Sequence, residues 1–440
     1  ILTVTKNLQD QYQKDFTDLN LLKGKSNYIC EYDNSFEVDN APCIGDKGLK
    51  KACWDCDRCL YYNARNESIS NKIGLFNYSV WLSMMPQARR KEVLICDEAS
   101  ELENIIIDHF TFSVDYETLE KLLDVKKYER VPSEVPSEAY KWLLKLNETL
   151  KEEIELIKEN PKKKDKFRLR GLANLQESIT RVSDNWGRNG ENSNSVEYIV
   201  EKVKADKFNP NVKEGVIFVP FKANKLAHRL FETVERVILL SATFIDHRKE
   251  MADLGIGKDD YEYIEAPSAF DPEKSPIRTV GKYPLTYKEV DTNLPKVIDE
   301  ILLKILDKHK DEKGLIHTVS FKITKAIQER VFNKRLLFRE SGVTNEVLMK
   351  EHAENSDPTV MVSPSMSHGV DLKGDLGRFQ VIMKVPYLPL SSKRIKRLSK
   401  EDYQWYVNRT LSTIVQMSGR CTRNDSDEAV TYILDGSVVT

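Results

Sequence analysis

The chain has 440 residues, of which 40% are apolar and 31% charged, with a formal net charge of −2 at pH 7. That is room for roughly three domains of ~150 residues, each able to bury a sizeable core under a solvated surface. No apolar run approaches the ~18 residues of a membrane span, and the near-neutral balance excludes an overall basic field that would attract nucleic acid. Two local basic runs, "PKKKDKFRLR" (161–170) and "SSKRIKRLSK" (391–400), read first as solvated faces and second as nucleic-acid contacts.

The opening "ILTVTKNLQD" has neither the charged start nor the long apolar stretch of a secretion signal. Its first letters read as the inside of a strand and it has no initiator Met, so we expect the chain to begin in mid-domain. "YQKDFTDLN" then reads as a helix. It leads to Gly24-Lys25-Ser26, the last three letters of a phosphate loop, G-x-x-x-x-G-K-[ST], whose glycines let backbone N–H groups wrap phosphates. The first of those glycines would stand at position 19, which is Leu19, and no apolar strand feeds the stretch. We therefore read these residues as a turn that introduces a cysteine cluster.

Five of the seven cysteines fall in residues 30–59: Cys30, Cys43, Cys53, Cys56 and Cys59, the last three spelling C-x2-C-x2-C. In a chain without a secretion signal such clustering points to a metal centre in a reducing compartment, ahead of disulfides. A structural zinc accepts four thiolates at this spacing. A ferredoxin-type carrier would continue C-x3-C-P, and Asn63 stands where its next cysteine belongs. Cys96 and Cys421 read as a core residue and a bystander.

Beyond the cluster, short apolar runs alternate with helical patterns: "EVLIC" (92–96), "RVILLS" (236–241), "GLIHTVS" (314–320), "TVMVS" (359–363), "FQVIMKV" (379–385) and "AVTYIL" (429–434). Such uniformly apolar runs, rich in Val and Ile, predict strands buried on both faces of a parallel α/β sheet. In such sheets ligands sit beyond the carboxyl ends of the strands. "EVLIC" is followed by Asp97 and Glu98, a costly pair of carboxylates unless a metal or partner compensates them. They read either as an NTPase pair, Asp97 for Mg²⁺ and Glu98 for the attacking water, or as an acidic helix start. From Ile105 to about Ser193 the composition changes to Lys/Glu-rich helix with no strand–motif pattern. "RVILL" is followed by Ser241-Ala242-Thr243, hydroxyls that could sense the acidic pair or simply cap a helix. In "IVQMSGRCTR", Gln416, Arg420 and Arg423 are spaced to share one helix face, suited to the oxygens of a transferring phosphoryl group.

In order, "TVTKNLQDQ", "DEAS", "LLSATF", "GLIHTVSF", "SHGVDLKG" and "QMSGRCTR" resemble motifs Ia, II, III, IV, V and VI of superfamily 2 helicases. "KVPYLPL" followed by "WYVNRTLSTIVQMSGRCTR" is similar in particular to the iron–sulfur XPD/DinG-like group. The resemblance implies an α/β fold of two RecA-like parallel-sheet motor domains with ATP between them. Motor domain 1 would comprise 1–26, 73–104 and 194–262, incomplete at its N-terminus, and motor domain 2 residues 263–440. An iron–sulfur domain (27–72) and a helical Arch domain (105–193) would be inserted in the first, together forming a hole for single-stranded DNA, with "PKKKDKFRLR" tracking phosphates.

Residue by residue, the resemblance gives Asp97 the Mg²⁺ and Glu98 the water. Gln416, Arg420 and Arg423 would face ATP, with Gly369 and Asp371 between nucleotide and strand. Ser241 and Thr243 would couple hydrolysis to DNA, while Thr5 and Ser320 touch its phosphates. A 4Fe-4S cluster would take Cys30, Cys43, Cys59 and a further ligand from Cys53 or Cys56, with Cys53 preferred because one family branch separates its last two ligands by five residues. The family usually has His after D-E-A, where this chain has Ser100, and its phosphate loop precedes motif Ia, where this sequence begins. We therefore expect a chain trimmed at both ends, or else a paralogue that has lost ATP binding.

The activity implied is ATP-dependent 5′→3′ translocation on single-stranded DNA with unwinding of forked or tailed duplexes, by a monomer. It would work in the cytoplasm (nucleoid) of a prokaryote or for a virus, or in a eukaryotic nucleus. A single-stranded-DNA-binding module without ATPase activity and a zinc-stabilised ATPase that remodels nucleoprotein are the competing readings.

Overall fold

A computed structural model describes residues 1–43, 47–55, 58–159, 165–186, 195–205, 212–268, 270–339, 345–364, 372–422 and 424–438. The chain divides into two units, Ile1–Glu262 with Ser391–Lys396, and Tyr263–Leu390 with Arg397–Thr440. Each is built on a parallel sheet.

The strands of the first unit are β1 (Leu2–Thr3), β2 (Asn20–Leu22), β3 (Gly74–Asn77), β4 (Lys91–Cys96), β5 (Phe112–Asp115), β6 (Tyr198–Val203), β7 (Gly215–Pro220) and β8 (Val234–Leu239). Five form one sheet in the order β2-β3-β1-β4-β8, every neighbouring pair parallel. Leu2, Leu22, Leu75, Phe76, Leu94 and Cys96 are buried in it, as two-sided burial of short apolar strands requires. The helices Lys6–Asp15, Leu60–Ser70 and Tyr78–Ser83 supply crossovers, which parallel pairing cannot do without.

Three expectations are corrected by this unit. The helix after β1 stops at Asp15, and Asn20–Leu22 is a strand that does lead to Gly24; three residues are too few to give a periodic signal. Beyond Gly24 the chain makes a single 3₁₀ turn, Lys25–Asn27, with Gly24 at an ordinary φ of −63°, and not a loop wrapped for phosphate. "RVILL" is a strand, but β8 ends the sheet order, and Val237, Ile238 and the adjoining Leu240 are exposed together with Val93 of β4. An apolar run reports strand propensity and cannot report whether a neighbour covers it. Finally, the 105–193 stretch contains β5, paired antiparallel with β7, which pairs antiparallel with β6. Its four residues "FSVD" alternate buried and exposed, and their partner comes from far along the chain. On this second sheet pack the long helices Pro136–Glu159 and Asp165–Asn185. Trp142 stacks on Phe218 at 6.2 Å and Trp186 on Tyr198 at 5.1 Å.

The second unit holds β9 (Ile277–Tyr283), β10 (Gly314–His317), β11 (Leu336–Phe338), β12 (Val360–Ser363), β13 (Phe379–Ile382) and β14 (Val430–Asp435). The sheet order is β11-β12-β10-β13-β14-β9, again parallel throughout. All four expected runs are strands here, and β10, β12 and β13 are fully buried. Among the described residues no helix is long and apolar enough to cross a membrane.

Candidate functional site

Asp97 and Glu98 stand directly after β4. The backbone of this turn is tied on all sides. Asp97 N donates to Leu2 O at 3.0 Å and Ala99 N to Leu240 O at 2.8 Å, while the Tyr78 hydroxyl donates to Asp97 O at 2.7 Å. Glu98 N donates to the Asp97 carboxylate at 3.0 Å, and Glu98 itself sits in the left-handed region at φ 52°, ψ 47°. That conformation is costly for a residue with a Cβ, and such strain clusters where function over-determines the backbone. Glu98 is the N-cap of a 3₁₀ turn, Ala99–Glu101, that runs directly into the α-helix Leu102–Phe110. Tyr12, on the helix after β1, lies close enough to the Asp97 carboxylate to feel its charge; burial and that carboxylate push its phenol up to about 12. Neither Tyr12 nor Tyr78 was signalled by the sequence, because their proximity to Asp97 comes from sheet order and not from spacing.

Ser241 and Thr243 do not cap a helix; the next one starts at His247 and is capped by Asp246. Their hydroxyls turn back toward the acidic loop. Ser241 Oγ donates to Ser100 Oγ at 2.9 Å, Ser100 Oγ lies 2.9 Å from Thr243 Oγ1, and Thr243 N donates to Ser241 Oγ at 3.1 Å. Ser100 and Thr243 are buried. This closed triangle links the ends of β4 and β8, with Ser100 in the place where an imidazole was expected from the resemblance.

In the second unit the helix expected to carry three aligned residues ends early. Gln416 lies in the last turn of Tyr403–Ser418, and Arg420 in the 3₁₀ turn Gly419–Cys421. Gly419 closes the helix, so α-helical spacing does not extend to Arg420. Arg423, Gly369 and Asp371 lie outside the described residues.

Thr5 and Ser320 are both helix N-caps: Thr5 Oγ1 accepts from Leu8 N at 3.3 Å and Ser320 Oγ from Ile323 N at 3.3 Å. Val319, just before Ser320, has a φ of 63°, a genuine outlier for a β-branched residue. Its side chain packs against Ile382, Val385, Ile414, Met417 and Ile433. The basic run 391–400 is largely consumed by carboxylates: Lys393 by Glu134, Arg394 by Glu103 and Arg397 by Glu401. In the other run, Arg168 pairs with Glu153 and Arg170 with Asp39, and residues 160–164 lie outside the described residues.

Cys30 and Cys43 are buried with Ala41 in a small cluster against which Phe36, Leu49 and Cys53 pack. Cys59 immediately precedes the helix Leu60–Ser70. Burial pushes the Cys43 thiol up, as do the neighbouring Cys30 and Cys59, while a hydrogen bond from Cys53 acts the other way. Cys43 thus has three other thiols in its neighbourhood, and thiolates are donors that suit a soft metal centre. Among the described residues no three or more His, Cys, Asp or Glu side chains stand in metal-binding geometry, and Cys56 lies outside the described residues. Lys25 does not reach toward a phosphate site; it is exposed and its ammonium lies 5.7 Å from the Tyr61 ring centroid.

Residues 302–440 match the family model described as "Helicase C-terminal domain". No curated protein sequence matches significantly. Among solved structures, the one described as "XPD_Helicase" is similar over 100% of this chain and 88% of its own, with a TM-score of 0.64 and 17% identity. "XPD_APO" is similar over 99% and 86%, at 0.61 and 15%. "Structure of S. tokodaii Xpd4" is similar over 84% and 79%, at 0.53 and 15%. The α/β fold expected from the motifs is borne out, the chain sharing the fold of XPD helicase structures along its whole length, with residues 302–440 similar to the helicase C-terminal domain.

Proposed function

We propose that this protein is an ATP-dependent DNA helicase that moves 5′→3′ along single-stranded DNA and opens forked or tailed duplexes. The observation that carries the reading is the turn after β4: a strained Glu98 beside Asp97, linked through Ser100 to the Ser241 and Thr243 hydroxyls. A merely acidic surface turn would need neither the left-handed backbone nor a hydroxyl triangle with two of its three members buried. In this reading Asp97 holds Mg²⁺, Glu98 orients the attacking water, and Arg420 and Arg423 stabilise charge on the transferring phosphoryl group. Gln416, Gly369 and Asp371 contact the nucleotide, and Thr5 and Ser320 contact DNA phosphates through their helix N-termini. Polarity and substrate rest on the likeness to XPD helicases.

The domain scheme belongs to the same proposal: motor domain 1 in 1–26, 73–104 and 194–262, a cysteine domain in 27–72, an Arch domain in 105–193 and motor domain 2 in 263–440. Cys30, Cys43, Cys53 and Cys59 would hold a 4Fe-4S cluster. The cluster's chemistry there is cross-linking: it pins a domain too small to bury much core of its own.

The test is ATP hydrolysis by the full-length protein with and without single-stranded DNA, with iron and zinc measured on the same anaerobic preparation. We expect DNA-stimulated hydrolysis that Glu98→Gln lowers by ~10³-fold and stoichiometric iron that Cys59→Ser removes. No hydrolysis in the unsubstituted protein, with DNA binding retained, would leave a binding module. Zinc without iron would end the iron–sulfur assignment and leave the motor assignment standing.

A further inference from the structure

Beneath the Arg420 turn runs a buried polar chain to which the proposed reaction assigns no role. Parallel register sets Gln380 of β13 beside Leu315 of β10 and Thr431 of β14, with His317 ending β10 opposite Ile382. His317 is 1% exposed, Gln380 0% and Thr431 2%. Polar side chains in the middle of an apolar sheet are expensive unless hydrogen-bonded, and these three are joined. The Gln380 amide nitrogen donates to Thr431 Oγ1 at 2.9 Å and to the main-chain carbonyl of Ser418. With its nitrogen committed as donor, Gln380 Oε1 is the acceptor for His317 Nε2 at 3.3 Å, which puts the imidazole proton on Nε2. His317 Nδ1 has no partner among the described residues.

Ser418 is the last residue of its helix, so its carbonyl lacks an intrahelical donor, and Arg420 is two residues further on. The same turn is gripped from elsewhere: Leu372 N donates to Arg420 O at 3.2 Å. Cys421 is buried against Gly377, where an added Cβ would come within 2.7 Å of its sulfur.

We propose that Gln380 is a positioning residue for Arg420: held by His317 and Thr431, it grips the Ser418 carbonyl and so fixes the turn from which the guanidinium reaches the reacting phosphoryl group. This rests on the ATP-hydrolysis reading above. Burial, followed by the nearby Arg420 charge, lowers His317 to about 4, so the chain beneath the arginine carries no charge of its own near neutral pH.

The experiment is a double-mutant cycle on DNA-stimulated ATP hydrolysis by the full-length protein. Gln380→Met keeps the length of the side chain and removes its amide. It should lower kcat ~10–100-fold, the scale of a small misplacement of a reacting group, with KM changed less than about twofold. In an Arg420→Ala background it should lower kcat no further, because one residue acts through the other. A residue that only stabilises the fold would reduce thermal stability, leave kcat per folded molecule intact and add independently to Arg420→Ala; that result overturns the proposal. If Gln380→Met does not fold, Thr431→Val, which removes one acceptor of the amide, goes through the same cycle, and additive losses overturn the proposal equally. No hydrolysis by the unsubstituted protein overturns the functional reading and this proposal with it, whereas hydrolysis with additive losses overturns this proposal alone.

Discussion

The turn that carries Asp97 and Glu98 and the turn that carries Arg420 are fixed by opposite means. The first is held through its backbone: four main-chain hydrogen bonds and a residue forced to φ 52°, with short hydroxyls joining it to the end of β8. The second has no left-handed residue among those described and is held from below by a long amide that spans the sheet from His317 to Ser418. The difference lies in what precedes each turn. The acidic turn comes after a strand, and adjacent parallel strands offer donors and acceptors within reach. The arginine turn comes after a helix, whose last carbonyls find no partner unless a side chain comes to them. Backbone strain marks the acidic turn, and a buried amide marks the arginine turn.

The comparison can be broken most strongly by acid. His317 prefers its neutral form in the fold and is lowered to about 4, against ~6.5 for a free imidazole. Between those values the unfolded chain binds a proton that the folded one refuses. The second unit should therefore be at full stability above pH ~6.5 and lose up to ~3 kcal/mol as the pH falls toward 4. Hydrogen exchange in β10 and β13 at pH 7 and pH 5 measures this, and His317→Gln should flatten the dependence. An unchanged profile would show that buried polarity is not what the second turn depends on.

A smaller effect is expected from Ser100→Ala, which removes both hydroxyl contacts that Ser100 makes and leaves Ser241 and Thr243 joined by the 3.3 Å hydroxyl contact and the 3.1 Å bond from Thr243 N. Each such hydrogen bond is worth ~1 kcal/mol and two are lost, so the ratio of DNA-stimulated to basal hydrolysis should fall up to about 30-fold. No change in that ratio would assign the triangle to packing.

The smallest effect sharpens the contrast in strain. Asn tolerates the left-handed region better than Glu, so Glu98→Asn should raise thermal stability by up to ~1 kcal/mol while removing the group that orients water. If stability falls instead, the left-handed turn is held without strain and the two turns differ less than their backbones suggest.

Much of this was legible from residue order. The six apolar runs are all strands in parallel sheets, and β10, β12 and β13 bury both faces as such runs predict, whereas β8 shows the strand propensity without the burial. The acidic pair lies at a strand end because such sheets put chemistry there. Where local signal was thin, reading failed. "NLL" and "FSVD" are too short to show a period, and the antiparallel partner of "FSVD" lies far along the chain. "QMSGRCTR" scans as helix at 3.6 residues per turn, yet Gly419 ends it.

What the sequence determined by itself was composition at each strand end: which residues could hold a metal, orient water or meet a phosphate. Only tertiary structure decided which of them have support. That Tyr12 reaches Asp97, that Ser100 closes a triangle with β8 and that Gln380 grips the end of a helix all depend on strand order and register, because a parallel sheet makes neighbours of residues far apart along the chain.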